Sequence, residues 1–268
     1  MLIDPISKNL LNGSGRNGIV SLMYHSITPG TSTPAWAWAL SIQNFNDQLS
    51  VLEDFGWTTA CANELNDGIN NLPPRTILIT FDDGYADNML AFEQLVKHKM
   101  NATWFVVSND IGQLSSWNDK NAPRLKLLDR SQLLEMQDAG MEIGSHTHSH
   151  CRLTQTTQQQ IDFELSHSQS YLSNLLNKPV TSLAYPYGLY NQAVLSATRA
   201  TGYKVAFTTN SGFGLVDNNH LEVRRISIMS GDSLSTFARK LAFADNDVSW
   251  SKLSAYLFDR IKDRLHLS

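Results

Sequence analysis

The sequence predicts an α/β fold: a parallel sheet, open or closed into a barrel, with helices packed outside it. Short β-rich runs alternate with amphipathic helical runs along nearly the whole chain, and such alternation is the mark of strand–helix–strand units. Several strand candidates, Thr76–Phe81 (TILITF) above all, are almost uninterruptedly apolar, which suits a sheet covered on both faces. A chain of 268 residues also fits one α/β unit of barrel size.

Strands are expected at Ile19–Tyr24, Trp57–Ala60, Thr76–Phe81, Thr103–Val107, Glu142–Ser145, Ser182–Tyr185, Lys204–Thr208 and Val223–Ile228. Helices are expected between them. Phe45–Phe55 stops at Gly56, and Leu90–Lys99 is similar. Ser131–Ala139 follows Asp129, a good N-cap with Gln132 at the third position, and stops at Gly140. Gln158–Leu176 carries Ile161, Leu165, Leu172, Leu175 and Leu176 on one face. Asn191–Thr201 ends at Gly202. Two stretches, Thr28–Leu40 with Trp36 and Trp38 and Ile111–Leu128 with Trp117, read as long loops, which in compact α/β domains are often functional. Residues 1–17 read as a lead segment, 18–230 as the main domain, and 231–268 as two amphipathic helices packed on it.

Composition narrows the partners. The net charge is −4, and no basic stripe points to nucleic acid. Cys61 and Cys151 make no disulfide framework. Cys151 follows His150 directly, but adjacent side chains rarely reach one ion, and a lone cysteine is more often a small buried hydrophobe. No charged start leads into an apolar run, and nothing approaches the ~18–20 apolar residues of a membrane helix. The expectation is a cytoplasmic protein, although a chain stripped of a leader would read the same way.

Three clusters carry chemistry. Asp82 and Asp83 follow the apolar strand in Thr80-Phe81-Asp82-Asp83-Gly84-Tyr85. Adjacent carboxylates at the end of a buried strand need a cation, a metal or hydrogen bonds to stay ionised. The bland alternative is a helix cap beside a solvated aspartate. In Gly144-Ser145-His146-Thr147-His148-Ser149-His150, three of the chain's eight histidines alternate within five residues. His146 and His150 with one of the two carboxylates would hold a borderline divalent metal and leave a position open for water, the pattern of a catalytic site. The other aspartate then stands beside that water as a base. The competing reading is a solvated histidine patch. Tyr185-Pro186-Tyr187-Gly188 forms a turn after another strand, where a backbone N–H suits an oxyanion. Asp82, His146, Tyr187 and His25 all follow expected strands, and active sites of parallel α/β folds lie at those carboxyl ends.

With these residues in place, the sequence resembles the polysaccharide deacetylase family, also called the nodulation-protein-B homology domain or carbohydrate esterase family 4, over roughly Gly18 to Ile228. TFDDGY is similar to the family's first motif, HTHSH to its second, and YPYG to its third. MYHSI, NATWFVV, VAFTTNSG and RRISI resemble the branch that includes poly-N-acetylglucosamine deacetylases. The resemblance implies a single-domain deformed (β/α) barrel with about seven parallel strands. It implies removal of acetyl from an N-acetylated glycan or sugar conjugate. Asp82 would be the general base. Asp83, His146 and His150 would bind a divalent metal, usually Zn2+, with Co2+, Ni2+ or Mn2+ also suited. Thr147 and Ser149 would steady the loop, His148 would be no ligand, and the Tyr187 amide would help form the oxyanion hole.

Two departures follow. Many members carry an arginine in the third motif that orients the base, where this chain has Ala184; Arg225 is the expected substitute. Many carry a late histidine as general acid, but Val223–Ile228 has none, leaving His25 and His220 as candidates. An acetyl ester or a non-sugar amide as substrate, and a non-catalytic carbohydrate-binding relative, remain the competing functions. Trp36, Trp38 and Trp117 would either stack on sugar or pack the rim.

Overall fold

A computed structural model of the chain describes residues 2–15, 18–117, 122–215, 219–249 and 251–254. Seven parallel strands form the wall: β1 (Val20–Tyr24), β5 (Thr76–Phe81), β6 (Thr103–Val106), β7 (Glu142–Ser145), β8 (Ser182–Ala184), β9 (Val205–Phe207) and β10 (Ile226–Ser227). They run in the order β10-β1-β5-β6-β7-β8-β9. A short β4 (Thr58–Ala60) pairs with the start of β5, and β2 (Ser26–Thr28) pairs with β3 (Ala39–Ser41) as a separate parallel ribbon.

The segment from His220 to Ser227 curls this sheet into a deformed barrel. Its first half lies on β9, where Val223 N–H donates to Ala206 and Thr208 N–H donates to Val223. Its second half pairs with β1, with Leu22 opposite Ile226. One segment thus joins both edges, and the expected strand 223–228 is observed as a bridge at Val223 followed by β10.

Strand periodicity sorts the side chains. On β5, Ile77, Ile79 and Phe81 face the outer core, packed under helices, whereas Leu78 faces the barrel interior with Phe105, Ala184, Phe207 and Val223. The same alternation carries Thr80 and then Asp82 inward, and on the facing segment it carries Arg225 inward. Gly144 sits where a Cβ would come within 2.6 Å of both Phe105 and Ser182, so a glycine is needed for the interior to pack.

The outer helices match the expected periodicity. The helix at Gln158–Leu176 buries Ile161, Leu165, Leu172, Leu175 and Leu176, and Asp129 with Gln132 makes a capping box at the helix Arg130–Asp138. Two features differ from expectation. The lead segment holds a helix, Pro5–Asn12, capped by Asp4 and packed on the C-terminal helix Leu234–Phe243. The Thr28–Leu40 stretch is flanked by β2 and β3, because Asp87 ties Ser26 and Ile27 to the turn after β5. Of the two C-terminal helices expected, the second falls mainly on residues 255–268, outside the described residues. Among the described residues, no helix is long and apolar enough to cross a membrane.

Candidate active site

A pocket of about 250 Å³ opens at the carboxyl ends of the strands. Asp82, Asp83, His146, His150, His25 and Tyr187 all line it, so four sequence-distant segments converge as their positions after strands imply. His220 does not line it.

Asp83 leaves β5 with φ at 72°, a left-handed conformation unusual for a residue with a side chain, and Gly84 follows at φ 79°. A Cβ on Gly84 would lie 2.8 Å from Val106, so the tight turn that aims Asp83 depends on that glycine. Asp83 Oδ1 lies 3.5 Å from His146 Nε2 and 3.3 Å from His150 Nε2. The three donor atoms lie within 4.8 Å of one another, and all three residues are buried.

This set fits a divalent ion. Tetrahedral bonds of ~2.0–2.1 Å place neighbouring donors about 3.3–3.4 Å apart, close to the spacing observed. Asp83 Oδ1 is a buried acceptor without a hydrogen-bond partner, an arrangement that costs stability unless a cation completes it. His146 Nδ1 lies 2.8 Å from the Ala184 carbonyl oxygen, which can only accept, so Nδ1 carries the proton and Nε2 presents its lone pair to the cluster. Burial holds the His146 pKa down to about 4, against the pull of Asp82, which favours the neutral form a ligand requires. Cys151 stands outside the cluster.

The ligand loop is pinned from below. Thr147 and His150 both adopt positive φ, and His150 N–H donates to Thr147 Oγ1. Glu164, fully buried on the helix Gln158–Leu176, accepts from the His148 and Ser149 amides and from Ser149 Oγ. Sequence reasoning missed Glu164. Its signal was a carboxylate in the apolar stripe, between Ile161 and Leu165. His148 turns away and meets Ser108 through Nδ1 and His167 through its ring.

Asp82 is paired differently. Arg225, fully buried, donates from Nη1 to Oδ1 at 2.6 Å and from Nη2 to Oδ2 at 2.7 Å. The fork is itself fixed by Nε–H to the Thr208 carbonyl and Nη1–H to Thr80 Oγ1. Burial pushes the Asp82 carboxyl upward, but the charge and the hydrogen bonds of Arg225 outweigh it and hold the pKa below the usual range. Arg225 therefore stands where Ala184 leaves the third motif without a charge. Ala184 contributes its carbonyl to His146 instead.

On the rim, His25 packs on Trp38 with ring centroids 4.7 Å apart and the planes tilted by 50°, and its buried Nδ1 has no hydrogen-bond partner. Burial lowers the His25 pKa, opposed by Asp83 and Asp82. Tyr187 takes φ 58° in the Pro186–Gly188 turn and lines the pocket. Trp36, Trp38 and Trp117 line the pocket, and Trp117 also lies 4.6 Å from His150.

Comparison with known proteins adds to this geometry. A family model described as polysaccharide deacetylase matches residues 69–206. YxkH of Bacillus subtilis, classed by name with the polysaccharide deacetylases, is 32% identical over 81% of this chain and 73% of its own length. A poly-beta-1,6-N-acetyl-D-glucosamine N-deacetylase of Staphylococcus epidermidis is 30% identical over 63% of this chain, which spans only 59% of that protein. The solved structure of the Streptococcus pyogenes deacetylase PplD in complex with acetate superposes with a TM-score of 0.73 at 28% identity, covering 84% of this chain and 98% of that one.

Proposed function

The chain belongs to the polysaccharide deacetylase family, and from that premise we propose that it is a metal-dependent hydrolase releasing acetate from an N-acetylated amino sugar in a glycan or glycoconjugate. The observation that carries this reading is the pairing of two unlike aspartates. Asp83 joins His146 and His150 in a cluster that fits a cation, while its neighbour Asp82 is kept ionised by Arg225 at the wall of the same pocket. Metal or sugar binding alone does not require the second carboxylate.

Asp83, His146 and His150 would hold the ion, with Zn2+ suiting the donor set best. Bound there, it supplies Lewis acidity toward the acetamide carbonyl and lowers the pKa of water from 15.7 toward ~7. Asp82 takes the proton of the attacking water, and the Arg225 fork fixes its orientation. The Tyr187 amide faces the oxygen that gains charge. The C–N bond breaks to give acetate and a free amine. We assign delivery of the amine's proton to His25, which lines the pocket with an unpartnered Nδ1. As burial favours its neutral form, it relays the proton that Asp82 has taken up rather than holding one in advance.

The test is acetate release from N-acetylglucosamine oligomers before and after chelation. Activity should disappear with chelator and return with zinc or cobalt. Release from acetylated xylan or small amides, with none from N-acetylated sugars, would overturn the amino-sugar assignment.

A further inference from the structure

One cation near the site has no task in this chemistry. Arg152 follows the ligand loop directly and is exposed, at the entry of a 3-10 turn anchored by the fully buried Leu153. Its guanidinium carbon lies over the Tyr187 ring, 3.7 Å from the centroid. No carboxylate among the described residues pairs with it. The nearby acids are engaged elsewhere: Asp82 by Arg225, and Glu164 by the amides of His148 and Ser149. Stacking on an aromatic face holds a guanidinium in place while leaving its in-plane N–H groups directed outward, a geometry matched to carboxylate or phosphate oxygens.

Position decides what those donors meet. Tyr187 lines the pocket beside His150, with ring centroids 4.7 Å apart, so Arg152 lies one ring-width beyond the pocket wall. The pocket's 250 Å³ falls below the ~300–1,000 Å³ of sites that enclose a drug-sized ligand. It takes one sugar unit, and a second unit must lie on the rim.

We infer that Arg152, stacked on Tyr187, is a specificity residue that reads an oxyanion, carboxylate or phosphate, on the unit bonded to the acetylated sugar. The substrate class is thus an acidic glycan conjugate rather than a neutral homopolymer. This inference rests on the deacetylase reading for its turnover test and on binding alone for its second test.

Three oligomers of equal length separate the cases: neutral N-acetylglucosamine, the same with one neighbouring uronate, and the same ending in a sugar phosphodiester. In the wild type, kcat/KM should favour at least one acidic oligomer by about tenfold, a preference that shrinks as salt is raised. Arg152→Gln should reduce the acidic-to-neutral ratio by about the same factor, and Arg152→Lys should restore part of it. Which acidic arm responds assigns carboxylate or phosphate. An acidic-to-neutral ratio that Arg152→Gln leaves unchanged would overturn the inference. Calorimetric binding of the same oligomers gives an independent readout. If no oligomer releases acetate, yet acidic oligomers bind more tightly in an Arg152-dependent way, the deacetylase reading fails and the anion site stands. Equal binding of acidic and neutral oligomers would sink the anion site whatever the turnover.

Discussion

The barrel interior places carboxylates at both ends, and the two ends treat them in opposite ways. At the carboxyl ends of the strands, Asp82 is gripped by Arg225 and Asp83 faces two histidines, and both pKa values are held below the usual range although burial pushes them up. At the amino ends, Glu142 points into the same barrel and, among the described residues, accepts hydrogen bonds from neutral donors: Ser182 Oγ, Thr103 Oγ1 and the Asn63 amide. Desolvation dominates there and raises its pKa. A perturbed carboxyl by itself therefore marks neither end as the site. What separates them is the cation or ligand set aimed at the charge. One end is arranged to keep carboxylates ionised and exposed to a pocket, and the other to close the barrel floor, where the 3-10 turn Ala62–Asp67 plugs it through an Ala62 N–H bond to Thr103.

The sharpest way to break this contrast lies at the charged end. Asp82→Asn removes the base but no member of the cation cluster, so turnover should fall about 10²–10⁴-fold while zinc content is retained. His146→Ala should lose both metal and turnover. Turnover rates and metal content of the purified variants check the pair together. Full activity in Asp82→Asn would remove the base assignment and with it the distinction between the two ends.

A smaller but still large effect is expected at Arg225, whose role is to make the buried Asp82 charge tolerable. Removing one partner of a buried, hydrogen-bonded ion pair costs about 3–5 kcal/mol, more than the pair itself contributes relative to an apolar replacement. Arg225→Met should lower stability by that order in denaturant melts, and adding Asp82→Asn to it should recover part of the loss. Arg225→Met alone as stable as wild type would mean that Asp82 does not need the fork.

The charged end was also the more legible one. TFDDGY and HTHSH sit directly after apolar strands, and strand periodicity carries their alternate side chains into the barrel, so Asp82, Asp83, His146 and His150 could be read before any fold was known. Arg225 was legible only as a substitute for the arginine that Ala184 displaces. The amino-terminal floor was not legible at all. Glu142 begins a strand and reads as an ordinary solvated residue, and only the register that sets it beside Thr103 and Ser182 reveals its enclosure. Periodicity left the sheet open or closed, and the barrel was legible only through the family resemblance. Val223–Ile228 reads as one strand, but the 220–227 segment pairs with β9 by its first half and β1 by its second, a division that a strand pattern does not reveal. The helix Pro5–Asn12 had a capping aspartate and a proline at its start, but only Leu10 and Leu11 with Ser7 are buried, too few to show a periodic face.

The smallest effect expected is at Glu142, and its sign discriminates between the two ends. Its pKa is higher in the folded chain than in the unfolded one, so the folded state retains a proton that the unfolded state gives up. The stability linked to this group is therefore full at pH below the unfolded value of 4.5 and is lost as pH rises through the raised folded value. Glu142→Gln keeps the side chain's size and an oxygen that accepts from the Asn63 amide and the Thr103 hydroxyl, and the Ser182 hydroxyl can rotate to accept from its NH₂. It should leave turnover near wild type, change stability by no more than about 1–2 kcal/mol at neutral pH, and flatten the decline of stability between acid and neutral pH. Thermal melts of both proteins across that range, alongside acetate release, measure all three. If Glu142→Gln abolished turnover while the melts were unchanged, the floor would be taking part in the chemistry, and the contrast between a charged working end and a neutral structural end would be wrong.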